Sequence, residues 1–230
     1  MYEQQSLLSE VLRPTSLSQL NLPSDLTRSL DRLIKTGSLM NLLFYGEPGI
    51  GKTSAARIIL KEIEADYLEL NGSFNSGDKT MLKDIEQFAG TFSLFQKPKI
   101  VFIDEADYLS TVVQSALRYI VEDVSRRTST RFLMTANNVK KISSAIRSRF
   151  VSIGFDVPPT ERASVVVDLV ERYTERLTEL GCIFDPVRLN QVVSVNFPDL
   201  RSIANALQIE FEFSKNLLAP KPDTIVSEWL

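Results

Sequence analysis

Apolar positions along this chain recur with two alternating periods. Leu42-Leu43-Phe44-Tyr45, Tyr67-Leu68-Glu69-Leu70, Lys99-Ile100-Val101-Phe102-Ile103, the run 130–135 and Phe150-Val151-Ser152-Ile153 are short apolar or β-rich segments of strand length. The segment after Lys99 has nothing polar inside it, which suits a parallel strand covered on both faces. Between these runs the apolar spacing turns helical. Leu26, Leu30, Leu33 and Ile34 share one face of a stretch that Ser24 or Asp25 can cap and Gly37 closes. Further helices are predicted after residue 52 to about Ile63, from a cap at Asp78 to about Ala89, and from about Thr111 to Val124. Strand and helix alternate, which predicts a doubly wound α/β sheet with ligands at the carboxyl ends of its strands.

Pro158-Pro159 changes the character, and the rest of the chain reads as helix only. Ala163, Val166, Val167, Val170, Tyr173 and Leu177 lie at helical spacing within 160–180, and two more helices are expected over 185–195 and 198–214. Ala219-Pro220-Lys221-Pro222 breaks helix and resembles a linker. At the other end, Pro14 discourages helix before it, and Leu17, Leu20 and Leu22 are apolar anchors at loop spacing. The expected organisation is an α/β domain over 1–157, a small all-helical domain over 158–217, and a linker or tail over 218–230. No apolar run approaches the ~20 residues that span a bilayer, and the polar start Met1-Tyr2-Glu3-Gln4-Gln5 does not read as a secretory signal.

Composition narrows the chemistry. There is no histidine, which removes His-based zinc sites, Ser-His-Asp triads and His general bases together. Cys182 is the lone cysteine, so no internal disulfide or paired-cysteine metal site exists. Flanked by Gly181 and Ile183-Phe184, it reads as a buried structural thiol, and a reducing, intracellular compartment is expected. The net charge of −3 means that any nucleic acid must be met by a local basic face. Catalysis is left to carboxylates, Lys, Arg and a bound metal.

One stretch supplies such a site. Gly46-Glu47-Pro48-Gly49-Ile50-Gly51-Lys52-Thr53 fits G-x-x-x-x-G-K-[ST], after a strand and before the helix that Ser54 continues. Its glycines let backbone N–H groups turn inward around phosphate oxygens, and the helix aims its positive end at the same anion. Lys52 would reach the β- and γ-phosphates of ATP, and the Thr53 hydroxyl would ligate Mg²⁺. A second motif, Ile100-Val101-Phe102-Ile103-Asp104-Glu105, ends an apolar strand in two carboxylates. Asp104 would hold Mg²⁺ through its water shell and Glu105 would polarise the attacking water. Asp104-Glu105-Ala106-Asp107 also spells a helicase signature, but the other helicase motifs are missing. Asn137 closes another strand, where its amide can sit against the γ-phosphate and orient water, or simply build a turn with Asn138. Arg147 and Arg149 read either as surface ion-pair partners or as groups aimed at a neighbouring subunit's nucleotide.

Taken in order, these motifs resemble a AAA+ ATPase, and within that class the small subunits of sliding-clamp loaders, the replication factor C type and its bacteriophage counterpart. The resemblance is carried from about residue 11 to 215. It rests on Arg13-Pro14, the Gly46–Thr53 loop, Asn71-Gly72-Ser73, Asp104-Glu105-Ala106-Asp107, Gln114-Ser115-Ala116-Leu117-Arg118, Asn137, Ser148-Arg149-Phe150 and Asp199-Leu200-Arg201. It implies a P-loop AAA+ parallel sheet flanked by helices and followed by a helical lid. It also implies Asn137 as the first sensor, Arg149 as an arginine finger acting in trans, and Arg201 as a lid arginine on the γ-phosphate in cis. Arg13 and Pro14 would pack around adenine. Lys79, Lys83 and Arg118 lie on helices where the family tracks the DNA backbone, or are solvated helix faces. The implied partners are other AAA+ subunits in a ring or arc, a sliding clamp and primer-template DNA, with no membrane. Phe150 replaces the family's cysteine after the finger. The resemblance also implies a C-terminal collar domain that is not expected within these 230 residues, so the chain is a fragment, assembles through its ATPase domains alone, or has another job. The expected activity is ATP hydrolysis at subunit interfaces in DNA replication. A AAA+ ATPase of recombination, transposition or repair, and a nucleotide-dependent non-catalytic scaffold, are the alternatives.

Overall fold

A computed structural model describes residues 8–20, 22–36, 40–74, 80–93, 97–182 and 184–213. Asp78, Lys79 and the 219–222 segment fall outside them. The described residues divide into two units, one within 15–156 and one that joins residues 8–14 with those from 157 to 213.

The larger unit is built on a five-stranded sheet of β1 (Leu42–Tyr45), β2 (Asp66–Asn71), β3 (Lys99–Asp104), β4 (Arg131–Ala136) and β5 (Val151–Gly154). The order is β2-β3-β4-β1-β5, and every pairing is parallel. β1 therefore sits between β4 and β5, with Leu43 opposite Met134 and Ser152. Alternation along the strands divides the core. Leu43, Val101, Ile103, Phe132 and Met134 pack in one buried cluster with residues of α4 (Thr80–Gly90) and α5 (Thr111–Arg127), including Met81, Ile85, Leu117 and Val121. The alternate positions Phe44, Phe102 and Leu133 are also buried, and α3 (Lys52–Glu62) packs against β3 and β4. α2 (Ser24–Thr36) packs in turn on α3. Covered on both faces, the interior of β3 (100–103) needs no polar position, which is why it reads as an unbroken apolar run.

Local signals fix the element ends. Ser110 Oγ accepts from Val113 N (3.3 Å) at the start of α5, and Ser143 Oγ accepts from Ile146 N (3.4 Å) at the start of α6 (Ser144–Arg147). Lys99, buried at the start of β3, donates to Thr91 O (2.6 Å), Thr91 Oγ1 (2.7 Å) and Phe88 O at the carbonyl end of α4. Burial pushes its ammonium pKa down.

The smaller unit contains α7 (Arg162–Glu179), α8 (Pro186–Asn196), α9 (Leu200–Phe213) and the single turn α1 (Leu8–Val11). Asp185 caps α8 with Pro186 at its first position, and Asp199 Oδ1 accepts from Arg201 N and Ser202 N (both 3.0 Å) at the head of α9. Leu169, Tyr173, Leu177, Leu189, Val193, Ile203 and Leu207 form its core, with Cys182 buried at the edge. The sequence places residues 1–14 with the α/β domain, whereas residues 8–14 join the helices. Leu8 and Leu12 are buried among α7–α9 residues, and Leu8 N donates to Gln208 Oε1 (2.7 Å). Burying a leucine contributes about 1.5–3 kcal/mol, so two are enough to fix where this short segment docks.

Candidate functional site

The loop between β1 and α3 forms the core of the site. Gly51, the cap of α3, has φ 102° and ψ 10°, a left-handed conformation that turns the chain into the helix. Gly46 has φ 149°, and a Cβ there would lie 2.8 Å from Asp156 Oδ1. That same carboxylate accepts from Glu47 N (2.9 Å) and ties the loop to the end of β5. Lys52 is buried, and its ammonium donates to Gly46 O (2.8 Å) and Glu47 O (2.7 Å), inside the curve of the loop. The next residue aims its side chain at β3, and Thr53 Oγ1 donates to Asp104 Oδ1 (2.9 Å).

Register brings the acidic strand end to the same place. Asn71 lies opposite Asp104, and Gly72 N donates to Asp104 O (2.7 Å). A Cβ on Gly72 would come within 2.4 Å of Glu105 O, so the chain passes Glu105 there without a side chain. Glu105 has φ 54° and ψ 41°, a left-handed conformation that costs a non-glycine residue roughly 1–2 kcal/mol and persists only where neighbours hold it. Thr135 of β4 is one such neighbour. Its Oγ1 accepts from Glu105 N (3.0 Å) and donates to Asp104 Oδ1.

Asp107 fastens the next strand end. It is buried, and its two oxygens accept from Asn137 N and Asn138 N (both 3.2 Å), which sets the loop that presents Asn137. Gln114 is buried beyond it. Its Nε2 donates to Leu109 O (2.9 Å) and Lys141 O (3.0 Å), and its Oε1 accepts from Ser143 N (2.9 Å). One amide thus joins the segment after Glu105, the turn after Asn137 and the head of α6. Spacing along the chain assigns no role to Thr135 or to Asp107 by itself. Only the register of β3 against β4 (Ile103 opposite Met134) reveals that a threonine faces the aspartate.

The residues from Gly46 to Thr53, together with Asp104, Glu105 and Asn137, therefore gather at the carboxyl edge of the sheet. Arg149 does not. Its backbone carbonyl accepts from Asn41 Nδ2 (3.3 Å), just before β1, while the P-loop begins just after β1. At about 3.3 Å per strand residue the five residues from Asn41 to Gly46 separate the two by roughly 16 Å, further than an arginine side chain reaches. Arg149 instead donates through Nη2 to Glu122 Oε2 (2.6 Å) and through Nη1 to Ala145 O (2.6 Å). Arg13, Pro14 and Arg201 belong to the helical unit, where Arg13 pairs with Glu10 (3.1 Å) and Arg201 is exposed in the first turn of α9. Lys83 is exposed on α4 and Arg118 on α5.

The donor set suits a hard cation beside a polyphosphate. Thr53 and Asp104 offer only oxygen, and a single carboxylate is what Mg²⁺ takes when waters and phosphates complete its shell. No group of three or more Asp, Glu or Cys side chains that could hold a metal by itself occurs among the described residues.

Residues 42–156 match the family described as "ATPase family associated with various cellular activities (AAA)". The chain is 32% identical over 207 residues to a probable replication factor C subunit 5 of Dictyostelium discoideum, covering 86% of this chain and 57% of that protein. It is 31% identical over 214 residues to replication factor C small subunit 2 of Pyrobaculum islandicum, covering 90% and 64%. The chain thus spans about three fifths of the length of these relatives. Among solved structures it is similar to the Thermotoga maritima RuvB Holliday junction branch migration motor, with a TM-score of 0.66 at 20% identity over 93% of this chain and 70% of that one, a likeness of fold.

Proposed function

This chain belongs to the AAA family of ATPases, and from that premise we propose that it binds and hydrolyses ATP with Mg²⁺ at the interface between adjoining subunits, as a subunit of a sliding-clamp loader. The loop amides and Lys52 hold the phosphates, Thr53 and Asp104 hold the cation, Glu105 takes a proton from the attacking water, and Asn137 orients that water. The bound cation offsets charge on the phosphate oxygens. Arg149 completes the centre of the neighbouring subunit. ATP then holds subunits in an arrangement that grips primer-template DNA, through side chains such as Lys83 and Arg118, and hydrolysis loosens it. The clamp-loading role rests on similarity to replication factor C subunits over most of this chain.

One observation carries the shared site. Arg149 is anchored beside Asn41 at the amino edge of the sheet, and the phosphate loop begins at the carboxyl edge of the same strand. No rotamer of that arginine serves its own P-loop, which supports a role toward a second protomer. The test is subunit mixing. Arg149→Ala protein should bind ATP and hydrolyse it about 10³-fold more slowly, the scale of losing an arginine finger. Adding Lys52→Ala protein, which binds no ATP but keeps its own Arg149, should restore turnover. Absence of rescue in mixed oligomers sinks the shared site, and turnover indifferent to primed DNA and clamp sinks the clamp-loading role.

A further inference from the structure

The sequence motif singles out Asp104 and Glu105 but leaves open what holds them, and here the β4 strand supplies a residue of its own. We propose that Thr135 is a positioning residue for hydrolysis, aiming Glu105 and locking the Asp104 carboxylate through one hydroxyl. The proposal rests on the reading of this site as an ATPase.

A threonine hydroxyl has one proton and two lone pairs. Thr135 gives its proton to Asp104 Oδ1 and offers a lone pair to Glu105 N–H at 3.0 Å. Both bonds run between adjacent strands to consecutive residues with different duties. Thr135 is 2% exposed, so little solvent competes for its hydroxyl. Asp104 Oδ1 also accepts from Thr53. When Thr53 turns its oxygen toward a cation it gives up that bond, and Thr135 remains to hold the carboxylate in its rotamer. Glu105 has the stronger need. Its left-handed backbone would relax if unheld, carrying its carboxylate away from the attacking water. The N–H bond to Thr135 fixes the entry to that residue, Tyr108 N donating to Glu105 O (3.0 Å) fixes its exit, and the bare backbone of Gly72 leaves the room. Of these restraints only Thr135 uses a side chain and touches both acidic residues. A buried threonine kept merely for packing would need its methyl and shape, not its hydroxyl, and that difference is measurable.

Thr135→Val keeps the shape and removes the hydroxyl, and Thr135→Ser keeps the hydroxyl and removes a methyl. In the full chain, Thr135→Val should lower kcat about 10- to 100-fold, the loss typical of removing an outer partner of a metal ligand, with KM for ATP within about twofold. Binding of a fluorescent ATP analogue in EDTA should match wild type, while the Mg²⁺ concentration that half-maximally strengthens that binding should rise. Thr135→Ser should keep kcat and the Mg²⁺ midpoint near wild type even if its melting temperature falls. The proposal is overturned if Thr135→Val retains kcat within threefold and an unchanged Mg²⁺ midpoint. It is equally overturned if Thr135→Ser loses as much as Thr135→Val, or if the losses follow melting temperature across both variants. Wild-type protein that binds no nucleotide overturns the ATPase reading and this proposal together, whereas active wild type with an active Thr135→Val overturns this proposal alone.

Discussion

The two edges of the central sheet are built to opposite plans. At the carboxyl edge, side chains from two strands, a helix and the turn after β3 converge. Lys52 lies within its loop, Thr53 and Thr135 both bond Asp104, and Asp107 pins the backbone of Asn137 and Asn138. These contacts are at least part-buried, and those of Thr135 and Asp107 fix Asp104, Glu105 and Asn137 in place before any ligand arrives. At the amino edge Arg149 bonds the glutamate of α5 in its own chain across an exposed surface. The first edge is pre-organised, and the second is parked. On the proposed trans role, a charge that serves another protomer gains nothing from rigid placement before that protomer arrives. The contrast predicts that changes at the carboxyl edge act on chemistry and changes at the amino edge act on assembly.

The largest expected effect tests the first half of that contrast. Glu105→Gln keeps the backbone and the size of the side chain but cannot take a proton. Steady-state ATPase activity should fall by about 10²–10⁴, the range of a general base, with nucleotide affinity unchanged in equilibrium titration. Activity within tenfold of wild type would show that the left-handed Glu105 is held for some other purpose.

Gln114 bonds to segments that lead toward both edges, and the next effect in size is expected there. Its amide satisfies Leu109 O, Lys141 O and Ser143 N, one on each of the segments that follow Glu105, follow Asn137 and lead through α6 to Arg149. Gln114→Leu leaves three backbone groups without that partner, and a buried group left unsatisfied costs about 1–3 kcal/mol. Chemical denaturation should register a loss of about 3 kcal/mol, and the mixing experiment should lose rescue when the variant supplies either role. An unchanged denaturation midpoint would mean that the two edges are not joined through this amide.

The same division governs how much was legible in the sequence. The strands, the P-loop and Asp104-Glu105 are local patterns, and the structure reproduces their positions to within a residue or two. Asn137 was readable as a polar residue at a strand end. Thr135 and Asp107 were not, because their partners lie about thirty residues away and meet them only through strand register. The docking of residues 8–14 escaped for a related reason. Leu8 and Leu12 are ordinary apolar residues whose allegiance depends on which core lies near, and local spacing does not encode that. Gln114 was visible only as one letter of a family pattern, its amide's three partners being set by tertiary packing.

The smallest expected effect sharpens the other half of the contrast. Glu122 and Arg149 form an ion pair on the protein surface, and such pairs add little to stability. Glu122→Gln should therefore leave the melting temperature unchanged. It should still ease Arg149 away from its own chain, so that half-maximal ATPase activity is reached at a protein concentration lower by about two- to threefold, in keeping with the modest strength of an exposed pair. The pH dependence gives this small shift a signature. The hydrogen bond from Arg149, reinforced by its charge, holds the Glu122 carboxyl below its usual range. The contact is accordingly complete above the ordinary carboxylate pKa and is lost as pH falls through the depressed folded value. Wild type and Glu122→Gln should differ at neutral pH and converge in acid, where a protonated Glu122 resembles the glutamine. Identical concentration profiles at neutral pH, or a gap that widens in acid, would mean that Glu122 does not restrain the arginine, and that the amino edge is as ready for its partner as the carboxyl edge is.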